Sequence, residues 1–109
     1  MPALLPTLLT ASQLVLAVAD VPKLDVAPGC RDASAAAVRD GQTNDVNACM
    51  RDEQTAREQL EKQWDQYSAA DQTRCVQLTG TGGNPSYVEV LTCLQIAKEV
   101  KQLPGGGNK

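Results

Sequence analysis

Histidine and phenylalanine are both absent from the 109 residues of this chain. Without histidine there is no Ser-His-Asp or Cys-His catalysis, no imidazole metal ligand and no imidazole titration near neutral pH. Acid–base chemistry would fall to carboxylates, lysine, tyrosine or a free cysteine. Without phenylalanine, and with Trp64, Tyr67 and Tyr87 as the whole aromatic complement, the core must be built from Leu, Val and Ala. Such a core is thin at this length, and small domains of this kind need additional staples. A Cys-x-x-Cys clip is missing too, which argues against structural zinc and against a thioredoxin-like redox motif. The net charge is −3 and no basic stripe interrupts it, so the electrostatic footprint of nucleic-acid binding is lacking. Beyond residue 19 no run of 18 apolar residues occurs, so no membrane span is expected in the mature chain.

What is present falls into four stretches. Residues 1–19 carry no charge and are rich in leucine, and Ala17-Val18-Ala19 supplies the small-x-small pattern read by signal peptidase. Pro6, Ser12 and Gln13 interrupt the apolar run, and no Lys or Arg precedes it. These residues read as a signal peptide, with Asp20 as the first mature residue; the alternative reading is an amphipathic N-terminal helix that stays on the protein. Residues 20–43 read as an N-terminal arm carrying Cys30. Its two prolines predict an extended lead-in to Pro28, a short helix over Ser34–Arg39 and a turn over Asp40–Asn44. Residues 44–103 read as the helical domain, and residues 104–109, opening Pro-Gly-Gly-Gly, as a flexible tail.

Within the helical domain the main helix starts near Asn44 or Asp45, either of which suits an N-cap. Val46, Cys49, Met50, Ala56, Leu60, Trp64 and Tyr67 recur in steps of three and four, the period of one buried helix face. Ser68 is positioned to cap a second helix, with Asp71 in the capping-box position; this helix is expected to end near Leu78, leaving Thr79–Pro85 as a loop. Ser86 and Glu89 form a full capping box for the last helix. There, Tyr87, Val90, Leu91, Leu94 and Ala97 share a side that Cys93, Ile96 and Val100 widen, so this helix is expected to pack against two partners.

Four cysteines in a short chain with an export signal read as a disulfide framework. Three pairings exist. Cys75 precedes the glycine-rich loop and Cys93 follows it, so an antiparallel hairpin brings them together; Cys30 lies just before a segment that folds back to Cys49. The expected bridges are therefore Cys30–Cys49 and Cys75–Cys93. The nested pairing is disfavoured: around a turn at Ser68, Cys49 and Cys75 stand about 18 Å out of step at the helical rise, far outside disulfide reach.

Three further features bear on chemistry. Glu53 and Arg57 are spaced i,i+4 within the apolar face of the main helix. They read as a partly buried ion pair, or as long side chains snorkelling at the edge of the stripe; the functional alternative is a tuned carboxylate or a ligand anchor. The segment Gly80–Ser86 leads into a helix N-terminus, where a phosphate can bind, but it lacks the lysine and the strand of a P-loop and reads as a connector. Trp64, Tyr67 and Tyr87 occupy helical core positions and read as a packing cluster, not a ligand platform.

The string Cys49-Met50-Arg51-Asp52-Glu53-Gln54, then Ala56-Arg57, Leu60, Trp64, Cys75 and Ser86-Tyr87-Val88-Glu89-Val90-Leu91-Thr92-Cys93-Leu94, resembles small exported proteins of Bradyrhizobium-type alphaproteobacteria. The likeness spans about Cys30–Leu103. It implies a periplasmic or secreted address and disulfides, and no catalytic residue.

The expectation is an all-α domain of three to four helices stapled by two disulfides. Its expected function is non-enzymatic, as a periplasmic or secreted protein that binds another protein or serves the envelope, with no cofactor, no metal and no nucleic-acid partner. An acid- or stress-linked periplasmic chaperone is one alternative. A thiol oxidoreductase is the other, and two free cysteines would be its sign.

Overall fold

The computed structural model describes residues 20–41 and 45–105. The expected signal peptide at 1–19, Asn44 at the start of the main helix and the end of the tail at 106–109 lie outside the described residues. Within them the chain is all-helical, with helices α1 (Ala27–Arg39), α2 (Val46–Gln63), α3 (Ala69–Thr81) and α4 (Tyr87–Gln102), and a single 3₁₀ turn over Trp64–Gln66.

Each of the last three helices begins where its side chains can satisfy the free amides of the first turn. Asp45 accepts from the Asn47 N–H, Ser68 from the Asp71 N–H and Ser86 from the Glu89 N–H. Such caps contribute on the order of 1 kcal/mol each. Helix α1 has no side-chain cap, and Pro28 sits in its first turn. It starts earlier than the sequence pattern predicts, because a proline there loses only an amide that had no intrahelical partner. The Cys30 N–H reaches the Val26 carbonyl at 3.2 Å and closes that first turn. Gly29 lies close to the segment before α4: a Cβ there would stand 3.3 Å from Asn84 Cβ, tighter than an ordinary contact.

Helix α4 packs against both α2 and α3, and α1 packs against α2. The core is formed by Ala56, Leu60, Trp64, Tyr67, Cys75, Tyr87, Val90, Leu91 and Leu94, with Val21, Leu24, Val26, Val76 and Cys93 packed around it. The lead-in at 21–26 is therefore part of the packing, held by its apolar side chains although it has no regular structure. One further expectation is corrected: helix α3 runs through Thr79 and Gly80 to Thr81, because the Thr79 side chain is buried against the start of α4. Helix α4 packs against two helices as its broad stripe predicts; of the residues that widen the stripe, Cys93 is packed against the core while Ile96 and Val100 stay exposed.

Both disulfides form as the spacing predicts. Cys30–Cys49 ties α1 to α2 and Cys75–Cys93 ties α3 to α4, each with its Cα atoms 5.6 Å apart. No cysteine is free. Among the described residues, no helix is long and apolar enough to cross a membrane.

Candidate functional site

The densest polar cluster lies where α4 begins. The first amides of a helix lack intrahelical partners and carry partial positive charge. Here they meet a carboxylate from another helix. Glu53, on α2 and only 6% exposed, accepts the Tyr87 backbone N–H on Oε1 and the Ser86 hydroxyl on Oε2, each at 2.6 Å. Ser86 Oγ in turn accepts the Glu89 N–H at 3.2 Å.

The reciprocal half of the capping box is rewired. The Ser86 N–H donates to Thr79 Oγ1 at 2.8 Å, and the Thr79 hydroxyl donates to the Glu89 carboxylate at 3.0 Å. Thr79, on α3, is thus inserted between the two ends of the box. Three helices meet in one hydrogen-bonded chain, Glu53–Ser86–Glu89–Thr79, and no buried side-chain polar atom lacks a partner among the described residues.

This geometry corrects the expected Glu53–Arg57 pair. Arg57 turns away and bonds Glu61 through Nε at 3.0 Å, with its guanidinium 5.7 Å from the centre of the Tyr87 ring. The reason is competition: the buried Glu53 carboxylate is taken by two donors that only a short reach across the helix interface can satisfy. Arg57 on the half-exposed edge finds a solvated partner instead. The same contact bears on the phosphate reading of the Gly80–Ser86 segment, since the protein's own carboxylate occupies the anion position at this helix N-terminus.

Two other polar residues, not singled out by the sequence, fix the turns. Buried Gln72 donates its amide to the carbonyls of Trp64 (2.7 Å) and Tyr67 (3.3 Å), so it closes the bend between α2 and α3. Lys101 reaches back from α4 to the Asp71 carboxylate, which Arg74 also bonds. The Lys101 ammonium holds the Asp71 carboxyl below its usual range, with the Ser68 hydroxyl and the Arg74 charge adding to the effect against a partial burial that opposes it.

The three aromatics are all buried in the core. Tyr67 donates its hydroxyl to Gln63 at 2.9 Å, and burial raises its pKa. The Tyr87 hydroxyl accepts the Leu24 N–H (2.8 Å) and donates to the Pro22 carbonyl (3.0 Å). It thereby holds the lead-in against the core over more than 60 residues of sequence. The remaining feature of note is the outer side of the α3–α4 hairpin. There a shallow groove is lined by Asp71, Arg74, Cys93, Ile96, Val100 and Lys101.

These observations define a class: a small all-helical protein braced by two disulfides, with its buried carboxylate committed to joining helices. Two bridged pairs suit an oxidising, non-cytoplasmic environment. Comparison with protein families, with curated proteins and with solved structures found no match.

Proposed function

We infer that this is an exported protein of the periplasm or the extracellular space that acts by binding a protein partner, not by catalysis. The observation that carries the binding reading is the α3–α4 face. Ile96 and Val100 stand 55% and 45% exposed beside a disulfide that fixes the two helices relative to each other. A rigid pair of helices with apolar side chains facing out suits recognition by packing, because little ordering entropy is lost when a partner docks. The polar residues best placed for chemistry, Glu53 and Thr79, are saturated by contacts within the fold.

Export is supported by the bridged cysteines, by the cleavage pattern before Asp20 and by the resemblance to small exported proteins. Intact mass of the protein from its native compartment, with and without reduction, tests this part. A chain beginning at Asp20 that gains four hydrogens on reduction is expected; a full-length chain with free thiols would sink export. For binding, a photo-crosslinking side chain at Ile96 should trap a partner in the native compartment, and one at exposed Val38 on α1 should not. Equal yields from the two positions would sink the assignment to this face.

A further inference from the structure

We propose that Cys30–Cys49 is a thiol–disulfide exchange site, which a dithiol opens in preference to Cys75–Cys93, and that opening it releases α1. The proposal goes beyond the binding reading and does not depend on it.

The two bridges differ in where their sulfurs stand along the helices. Cys30 is the fourth residue of α1 and Cys49 the fourth residue of α2. Their backbone N–H groups close the first turns, onto the Val26 and Asp45 carbonyls, both at 3.2 Å. Side chains on a helix lean toward its N-terminus. Both sulfurs therefore lean back over a first turn, the positive end of the helix dipole. Cys75 and Cys93 are each the seventh residue of their helices, about one turn further in. A thiolate is stabilised near a helix N-terminus and destabilised in apolar surroundings. Cys75 belongs to the hydrophobic core and Cys93 packs against it, whereas Cys30 and Cys49 lie outside that cluster. Exchange is faster when the departing thiol has the lower pKa, so Cys30–Cys49 opens first.

Burial and charge set the direction of attack. Cys30 is 2% exposed and Cys49 is half-buried, so an incoming thiolate reaches Cys49. Cys30 then leaves from a first turn with no side-chain cap and no acidic residue. At Cys49 the capping Asp45 carboxylate offsets the dipole, which makes Cys30 the better leaving group. The thiolate of the dithiol bonds to Cys49 Sγ as the Cys30–Cys49 bond breaks, and Cys30 departs with the electron pair and takes a proton from water. The second thiol of the dithiol, losing its proton, attacks the sulfur bonded to Cys49, and Cys49 leaves as a thiolate. Two electrons have then passed to the protein, which carries two thiols, from the dithiol, which has become a disulfide. Cys93 is also half-buried, and Lys101 and Arg74 stand beside it. Both cations are bonded to Asp71, however, and attack there must expel Cys75 into the core.

Release of α1 follows from how it is held. Cys30 is its one buried residue, and among the described helices α1 packs against α2 alone. The Asn84 amide also donates to Asp32 at 3.1 Å, an exposed bond that adds little. The lead-in is fixed separately by the Tyr87 hydroxyl, and α3 and α4 by their own bridge. Opening is therefore confined to residues 27–39.

Timed alkylation of the purified oxidised protein under dithiothreitol, with peptide mass mapping, reads the order of opening. Cys30 and Cys49 should be alkylated at least about tenfold faster than Cys75 and Cys93. In the species with one bridge open, hydrogen exchange should show α1 losing its protection while α2–α4 keep theirs. Glutathione, a monothiol that can complete only the first step, should be found after acid quenching as an adduct on Cys49. Equal rates for the two bridges, or earlier opening of Cys75–Cys93, overturn the exchange site. An adduct on Cys30 overturns the direction of attack, and an α1 that stays protected after opening overturns its release. None of these outcomes touches the cleavage site or the crosslinking test, so this proposal and the binding reading fall separately.

Discussion

Replacing Glu53 gives the sharpest test of how this fold is held. In Glu53→Ala the Tyr87 N–H is left buried without an acceptor, at a cost of about 1–3 kcal/mol. The Ser86 hydroxyl loses its charged partner, and the negative charge no longer faces the first turn of α4, which adds roughly 0.3–1 kcal/mol. The expected total is about 3 kcal/mol, a large share of the 5–15 kcal/mol that stabilises typical domains. Glu53→Gln keeps one carbonyl oxygen for Tyr87 and can donate to Ser86 Oγ, so the expected loss is about 1–2 kcal/mol, the difference between charge-assisted and neutral hydrogen bonds. Urea unfolding of the oxidised proteins should report these values as a shift in midpoint at constant slope. At about 4–8 °C per kcal/mol, the alanine variant should melt at least about 12 °C lower. Arg57→Ala should cost less than about 1 kcal/mol, because its partner Glu61 is half-exposed. In a double-mutant cycle Glu53 should couple to Ser86 and not to Arg57. The reasoning is refuted if Glu53→Ala and Arg57→Ala cost the same, or if the coupling runs to Arg57.

Three more outcomes follow from the same structure. Removing the Cys30–Cys49 bridge as a pair of alanines should cost about 3 kcal/mol by loop closure; since Cys30 is the one fully buried residue of α1, hydrogen exchange should show α1 losing protection while α2–α4 retain theirs. Tyr87→Phe removes both hydrogen bonds to the lead-in, so it should lower stability by about 1–2 kcal/mol and speed tryptic cleavage after exposed Lys23. The Asp71 carboxyl is lowered by Lys101, so its contribution is complete above the unfolded carboxyl range near about 3.9 and disappears as pH falls through the lower folded value. Asp71→Asn should therefore narrow the stability gap between neutral pH and pH values below that range. An unchanged pH dependence would contradict the Lys101 contact.

Much of the architecture is a consequence of local chemistry and was legible in the residues themselves. Asp45, Ser68 and Ser86 mark helix starts because their side chains reach amides two or three residues ahead, a contact that needs no tertiary partner. The apolar period through Ala56, Leu60 and Trp64 defines a buried face by itself. The two bridges follow from cysteines placed near the ends of adjacent, short-looped segments, where geometry leaves little choice. What only the tertiary structure decided lies where two helices compete for one group. Glu53 and Arg57 satisfy the i,i+4 rule, yet burial hands the carboxylate to Ser86 and Tyr87, 33 and 34 residues away, because a desolvated charge takes the closest oriented donors and leaves the solvated cation to its neighbour Glu61. Thr79 looks like the first residue of a glycine-rich loop until α4 supplies a partner for its hydroxyl and lengthens α3 around it. The early start of α1 depends on Val26 and Cys30 being held against the rest of the molecule. Ile96 and Val100 have the same apolar signature as Leu94, and only the positions of α2 and α3 determine which of them is covered.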